Sequence, residues 1–265
     1  MTFQPVIPSG GVVGWRFLQR TYEAQIDSFS QSGVNQRETQ YFLENISNVL
    51  TAEDLVSDRR LLQVALGAFG LEEDLDNRFF IQKILQDGTR ADDALSNRLS
   101  DKRYREFSQA FGFGPGEVRK TTLITDMEKI ARNNLVSRFE IAVGESDETM
   151  RISLYMQHTL ADLAEGSGST DTKWFDLMGL PPLRSMMQTA LGLPSSFAQL
   201  DLDKQLSVFK ARLSQLTGSD DLSQFTQPDA VSKLTDTYLA RSQIAQIQST
   251  ISPAQTALIL LGAAT

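Results

Sequence analysis

The side chains able to do chemistry are few in this 265-residue chain, and they are scattered. His158 is the only histidine, set between Gln157 and Thr159 on a helical stretch. A catalytic imidazole needs a nucleophile and an orienting acid, and a metal site needs several ligands. Neither accompanies His158, which reads as a surface or half-buried structural residue. Carboxylates gather in the run Glu72–Asp76 and in "GESDE", Gly144 to Glu148. Paired acids can bind a hard cation or exchange protons. Glu72, Glu73, Asp74 and Asp76 therefore define a minor reading, an acid-based hydrolase or metal enzyme. Neither cluster has the calcium-loop spacing, and acids at a helix start also simply favour the helix dipole. "GSDDLS", Gly218 to Ser223, reads as a turn and a cap. No G-x-S-x-G and no H-E-x-x-H occurs. The expectation is no catalytic residue, no cofactor and no metal.

One phrase recurs three times: "ALGAFGL" ending at Leu71, "QAFGF" ending at Phe113 and "TALGL" ending at Leu193. A dinucleotide loop needs G-x-G-x-x-G after a strand, and a P-loop needs G-x-x-x-x-G-K-S/T. The glycines here follow helical patterns instead. "GFGPGE", Gly112 to Glu117, has no Lys and is closed by an acid. Ala, a large apolar residue, Gly and another apolar residue suit a helix end, with Gly at positive φ and the next residue folded back on the last turn. Gly70, Gly112 and Gly192 are thus assigned as structural helix ends. "SDRR" and "SDKR" precede the first two copies, and "DLDNRFF" and "DLDKQLS" follow the first and third. The unequal gaps mark a degenerate helical duplication and not a regular array.

The elements around these ends read as helices throughout, with no alternating β-branched run and no Asn-Gly hairpin. Residues 1–14 read as an extended arm, broken by Pro5, Pro8, Gly10 and Gly11. Residues 15–50 carry amphipathic helices: Trp15, Leu18, Tyr22, Ile26 and Phe29 share a face, "QSGVNQ" breaks the run, and a second helix spans about Arg37 to Val49. Thr51 and Asp54 have the capping-box spacing. Residues 51–165 form the helical repeat region, with apolar faces at Leu61, Leu62, Ala65 and Leu66, then at Phe79, Phe80, Lys83 and Ile84. Tyr104, Phe107 and Phe111 follow a cap at Ser100 or Asp101. A long helix over Thr121–Val143, a turn at "GESDE" and a helix over Thr149–Glu165 complete the region. Residues 166–265 open after the Gly/Ser loop "EGSGST". Pro181 and Pro182 suit a first helical turn. Leu202, Leu206, Phe209, Leu213 and Leu216 mark a stripe, and Ser252-Pro253 opens a last short helix. The expected fold is all-α, a multi-helical body with the duplication inside it and an N-terminal arm, residues 51–265 forming one contiguous body.

Bulk composition narrows the partners. The formal charge is −8, and the basic groups are short and flanked by acids. Nucleic-acid binding is excluded on that ground, since nucleic-acid binders present a basic face. No run reaches the roughly 18–20 apolar residues of a membrane span, so no membrane insertion is expected. The start of the chain lacks the basic residues and unbroken apolar run of a Sec signal. The absence of Cys fits both the cytosol and export. Trp15, Phe17, Tyr22, Phe29, Tyr41 and Phe42 stand in a Gln/Ser/Asn-rich background. Such a segment docks on a protein partner or a second copy, or else lies on the chain's own body.

"GGVVGWRFLQRTYEAQ", "TAEDLVSDRRLLQVALGAFGLEEDLDNRFFIQKIL" and "ALSNRLSDKRYREFSQAFGFG" resemble a bacterial family, DUF1217, over most of the chain and most strongly over residues 10–115. The resemblance implies an alphaproteobacterial protein, of a family often encoded among flagellar genes, and carries no catalytic residue over. What it implies is a non-enzymatic, flagellum-associated assembly or structural factor working through helix-mediated protein contacts. The partner would be a flagellar component or the export machinery, and the location cytoplasmic or flagellar, by way of the flagellar channel. The alternative is a secreted or surface-adhering helical protein exported without a signal peptide. The oligomeric state is left open.

Overall fold

The computed structural model describes residues 3–99 and 101–250. Among them are thirteen α-helices and no strand. They are α1 (Gly11–Ser30), α2 (Gly33–Asn45), α3 (Ala52–Ser57), α4 (Arg59–Gly67), α5 (Arg78–Asp87), α6 (Leu95–Arg98) and α7 (Arg103–Phe111). There follow α8 (Ile124–Ser146), α9 (Glu148–Glu165), α10 (Thr170–Met178), α11 (Pro181–Ala190), α12 (Leu202–Thr217) and α13 (Pro228–Thr250). Short 3-10 turns lie at Ile46–Asn48, Glu72–Asp76, Ser195–Gln199 and Leu222–Thr226. The chain forms two compact units, and it passes between them at Val6/Ile7, at Gln19/Arg20 inside α1, and at Ser146/Asp147. That last passage divides the stretch 51–265 that the sequence reads as one body.

Unit 1 holds Met1–Val6 and Arg20–Ser146. Its core joins Phe42 and Ile46 to Leu55, Leu62, Leu66, Ile81, Ile84, Phe107, Phe111, Met127 and Ile130. Most of its helices are under three turns long, too short to persist alone, so packing must hold them: α3 rests on α4 and α5, α6 and α7 on α5, and α4 on α8. Their ends are fastened individually. The Thr51 hydroxyl accepts from the Asp54 N–H at 3.2 Å, and the Asp54 carboxylate accepts from the Thr51 N–H at 2.9 Å, the reciprocal capping box expected from sequence. Asp58 accepts from the N–H groups of Arg60 and Leu61 at the start of α4. The first described residues are tied down: Gln25 accepts from the Val6 N–H at 2.7 Å and donates to its carbonyl at 3.2 Å.

Unit 2 holds Ile7–Gln19 and Asp147–Thr265. Trp174 stacks on Phe209 at 5.6 Å, and Phe197 meets Phe209 edge-on at 4.7 Å. Buried Lys173 donates to the Ala164 carbonyl near the end of α9 at 2.6 Å and to the Ser223 hydroxyl at 2.9 Å. Buried Gln205 accepts from Arg184 at 2.6 Å and donates to the Leu200 carbonyl at 2.6 Å, fastening the Ser195–Gln199 turn to α11 and α12. Within this unit Arg16 pairs with Asp236 at 2.5 Å.

Several expectations shift. Helix α1 begins at Gly11, four residues before Trp15, and α2 takes up Gly33–Gln36, so only Gln31 and Ser32 break the run. The turn at "GESDE" narrows to one residue: α8 continues to Ser146, and α9 starts at Glu148 with Asp147 as its cap. Asp101 accepts from the Arg103 N–H just ahead of α7, while Ser100 lies outside the described residues. The core face of α5 is Ile81, Ile84 and Leu85, and Phe79 is 83% exposed. On α12 only Phe209 and Leu213 of the expected stripe are buried; Leu202 and Leu216 at its two ends are exposed. The last short helix at Ser252-Pro253 lies outside the described residues.

The three phrase glycines all have φ of +66°. At Gly70 the Leu71 N–H donates to the Leu66 carbonyl and the Gly70 N–H to the Gly67 carbonyl. At Gly192 the Leu193 N–H donates to Gln188 and the Gly192 N–H to Thr189. Both are Schellman ends. Gly112 differs: its N–H donates to the Ser108 carbonyl, the simpler left-handed end, and the Lys120 N–H reaches back to the Phe111 carbonyl. A Cβ on Gly112 would run into the Val118 carbonyl oxygen, a backbone atom that cannot step aside. On Gly192 it would meet the guanidinium of Arg241, and on Gly70 that of Arg103 at 3.3 Å, both mobile ends. Gly→Ala should therefore cost on the order of 1 kcal/mol at Gly70 and Gly192, and clearly more at Gly112. Urea unfolding of the three variants checks this; equal losses would mean the Val118 contact is not what Gly112 serves.

Candidate interaction surface

The six aromatic candidates do not form one surface. Trp15, Phe29 and Phe42 are buried, at 0, 7 and 0% exposure. Trp15 lies in the unit 2 part of α1, whereas Tyr22 and Phe29 lie in unit 1. There both rings meet Phe139 of α8 edge-on, each at 5.6 Å, and Phe3 of the N-terminal segment adds a further edge contact to Phe29 at 6.2 Å. Tyr41 is half-buried; its hydroxyl donates to Asp58 at 2.7 Å, and the Arg60 guanidinium covers its ring at 3.5 Å. Phe17 is half-buried. These rings help build the two units.

The acidic run Glu72–Asp76 is a 3-10 turn whose carboxylates point to separate partners. Glu72 accepts from the Ser137 hydroxyl at 3.0 Å, Asp74 from the Tyr104 hydroxyl at 2.7 Å, and Asp76 pairs with Arg59 at 2.5 Å. The turn is a staple between helices. Among the described residues no three His, Cys, Asp or Glu side chains gather where a metal ion would sit. His158 is exposed and lies edge-on to Tyr155 at 5.5 Å. Unit 1 carries an open groove of about 600 Å³ lined by Asn45, Asp54, Asp58 and Arg59. Both of its carboxylates already accept backbone N–H bonds at helix starts, which holds them below the usual carboxylate range: at Asp54 the Thr51 side chain contributes most, while at Asp58 burial opposes the shift and is outweighed by Tyr41 and the backbone donors. A second open groove of about 580 Å³ runs beside Thr39, Gln40, Leu43 and Leu135.

What unit 1 presents outward is apolar at particular points. Phe79 at the start of α5 is 83% exposed, and Val118 and Ile124, flanking the entry to α8, are 74 and 71% exposed. Leu50 is exposed too, next to Val49, whose carbonyl takes bonds from Arg119 and Thr121. Sequence reasoning placed Phe79 in the core. The signal against that was the spacing to the later apolar residues: at about 100° per residue, Phe79 stands opposite the face shared by Ile81, Ile84 and Leu85. Phe80 instead flanks the core, edge-on to Tyr104 at 5.3 Å.

Helices packed into two units, with polar side chains spent on helix ends, define an all-α protein over the described residues. The chain belongs to the DUF1217 family: the family model, described as "Protein of unknown function (DUF1217)", matches residues 68–231. The X-ray crystal structure of protein AGR_C_984 from Agrobacterium tumefaciens has a similar fold, with a TM-score of 0.72 at 22% identity, over 91% of this chain and 99% of that one. No curated protein matches the chain. Among the described residues no helix is long and apolar enough to cross a membrane.

Three tyrosines give a pH signature. Burial, with the Glu140 charge behind it, pushes Tyr22 up to about 12; burial and the Asp74 bond do the same at Tyr104; and burial dominates at Tyr238, also about 12. An unfolded phenol titrates near 10, so between those values the folded state keeps protons that the unfolded state has lost. Stability is then full below pH 10 and falls as pH rises toward 12. Phenolate absorbance should show Tyr22, Tyr104 and Tyr238 ionising late, together with loss of helical circular dichroism. Ionisation of these three near pH 10 with the helices intact would contradict the burial.

Proposed function

We propose that this protein is a non-enzymatic factor of flagellar assembly or structure that works through helix-surface contacts with a flagellar component or the export machinery. Membership of DUF1217 supports the flagellar setting, through the flagellar genes among which such sequences are often encoded. The observation that carries the contact mechanism is the apolar display at Phe79, Val118 and Ile124. Exposed aromatic side chains of this kind anchor protein interfaces, where each is worth far more than its polar surroundings.

The test is a deletion strain, complemented with the wild-type gene or with Phe79→Ser. Deletion should reduce flagellation and swimming. Phe79→Ser should leave the melting temperature unchanged, because the ring packs on little of its own unit, yet fail to restore swimming. Normal flagella and normal swimming in the deletion strain would overturn the reading.

A further inference from the structure

The two units repeat one another helix for helix. In unit 1, α2 packs on α4 and α8, α4 packs on α8, and α3 packs on α4 and α5. In unit 2, α9 packs on α11 and α13, α11 packs on α13, and α10 packs on α11 and α12. Setting α2, α3, α4, α5 and α8 against α9, α10, α11, α12 and α13 in chain order reproduces each of these pairings.

The match extends to residues. Leu55 of α3 falls on Leu177 of α10, and Leu61 of α4 on Leu183 of α11, each 122 residues on and all four buried. Gly70 falls on Gly192 at that same spacing, and both close a Schellman end, whereas Gly112 belongs to α7 and has no counterpart. Both α8 and α13 are 23 residues long, and buried Met127, Ile130 and Asn134 fall on buried Val231, Leu234 and Tyr238. Helical periodicity alone aligns any two amphipathic helices. It does not make consecutive helices keep one order, one set of neighbours and one glycine end.

The units differ by an added piece. Leu85 of α5 falls on Phe209 of α12, 124 residues on, and Ile130 falls on Leu234, 104 on; unit 1 therefore holds 20 more residues between these helices, where α6 and α7 lie. Unit 2 stacks Trp174 on Phe209 in its core. The matching residues of unit 1 are the smaller Ala52 and Leu85, and Phe107 and Phe111 of α7 join them in one buried cluster. Interiors pack to near-crystalline density, so rings missing from the helices must be supplied from elsewhere, and α7 supplies them.

We infer that the two units are copies of one five-helix module, each closed around its own core, and that α6 and α7 are an insertion completing the first copy. The inference stands apart from the flagellar role. It also makes the displayed ring of Phe79 private to unit 1, because the matching residue of α12 is Asp203.

The experiment is urea unfolding of the full chain beside the matched variants Leu55→Ala and Leu177→Ala. Both tryptophans, Trp15 and Trp174, are buried in unit 2, so their fluorescence follows that unit while circular dichroism follows both. Leu177→Ala should lower the fluorescence midpoint by about 1 M. Leu55→Ala should leave that midpoint at the wild-type value and move only part of the helical signal, or remove that part outright if unit 1 no longer folds. Leu55→Ala shifting the fluorescence as far as Leu177→Ala, or shifting neither signal, would overturn the inference. Cysteine pairs test the register in this Cys-free chain. A Cβ on Gly67 would stand 3.2 Å from Cγ of Asn134, and the matching residues are Thr189 and Tyr238. Thr189→Cys with Tyr238→Cys should oxidise to an intrachain disulfide as readily as Gly67→Cys with Asn134→Cys. A Thr189 and Tyr238 pair that stays reduced would overturn the match.

Discussion

Every helix leaves about four N–H groups and four carbonyls without partners, and a chain cut into this many short helices meets that demand at every turn. The architecture depends on how those ends are satisfied. Gly112 is the most constrained case. Its left-handed conformation ends α7, and the missing Cβ lets the Val118 carbonyl approach. The returning segment then closes the Phe111 carbonyl through Lys120 and the Val49 carbonyl through Thr121 and Arg119. One glycine thus fixes the route from α7 to α8, and α8 is the helix on which α2 and α4 pack.

The same demand explains why the polar residues that resemble chemistry are engaged otherwise. Asp54, Asp58, Asp147, Asp201 and Asp221 accept backbone N–H bonds at helix starts. Asp74 and Glu72 accept from hydroxyls of other helices. Each such bond is worth about 1 kcal/mol, and leaving the donors bare would cost more. Carboxylates so committed staple the fold. What is left for recognition is surface shape and apolar display, which is the basis for reading the protein through its contacts.

Local signals were legible in the sequence; competition between neighbours was not. Thr51 with Asp54, Pro181 with Pro182, and the three glycines each state their role within a few residues, because a cap or a helix end is a local geometry. Phe79 stands beside Phe80 in sequence but opposite the face of Ile81, Ile84 and Leu85, and the doublet obscures that spacing. "GESDE" reads as a turn by composition, but the sequence does not show that one capping residue, Asp147, is enough to stop α8 and start α9. The N-terminal aromatics stood out by type, but type does not distinguish a ring that binds a partner from one that meets Phe139. The passage of α1 from one unit to the other has no local signature at all.

The central claim is that the protein acts by contact with flagellar structures. The most direct measurement is fractionation of flagellated cells and of otherwise identical cells lacking the flagellar genes, probing cytosol, purified hook–basal bodies with their export apparatus, and culture medium. Enrichment with the flagellar fraction, lost in the cells without flagella, is the predicted result. The same distribution in both strains, or accumulation in the medium of both, would contradict it.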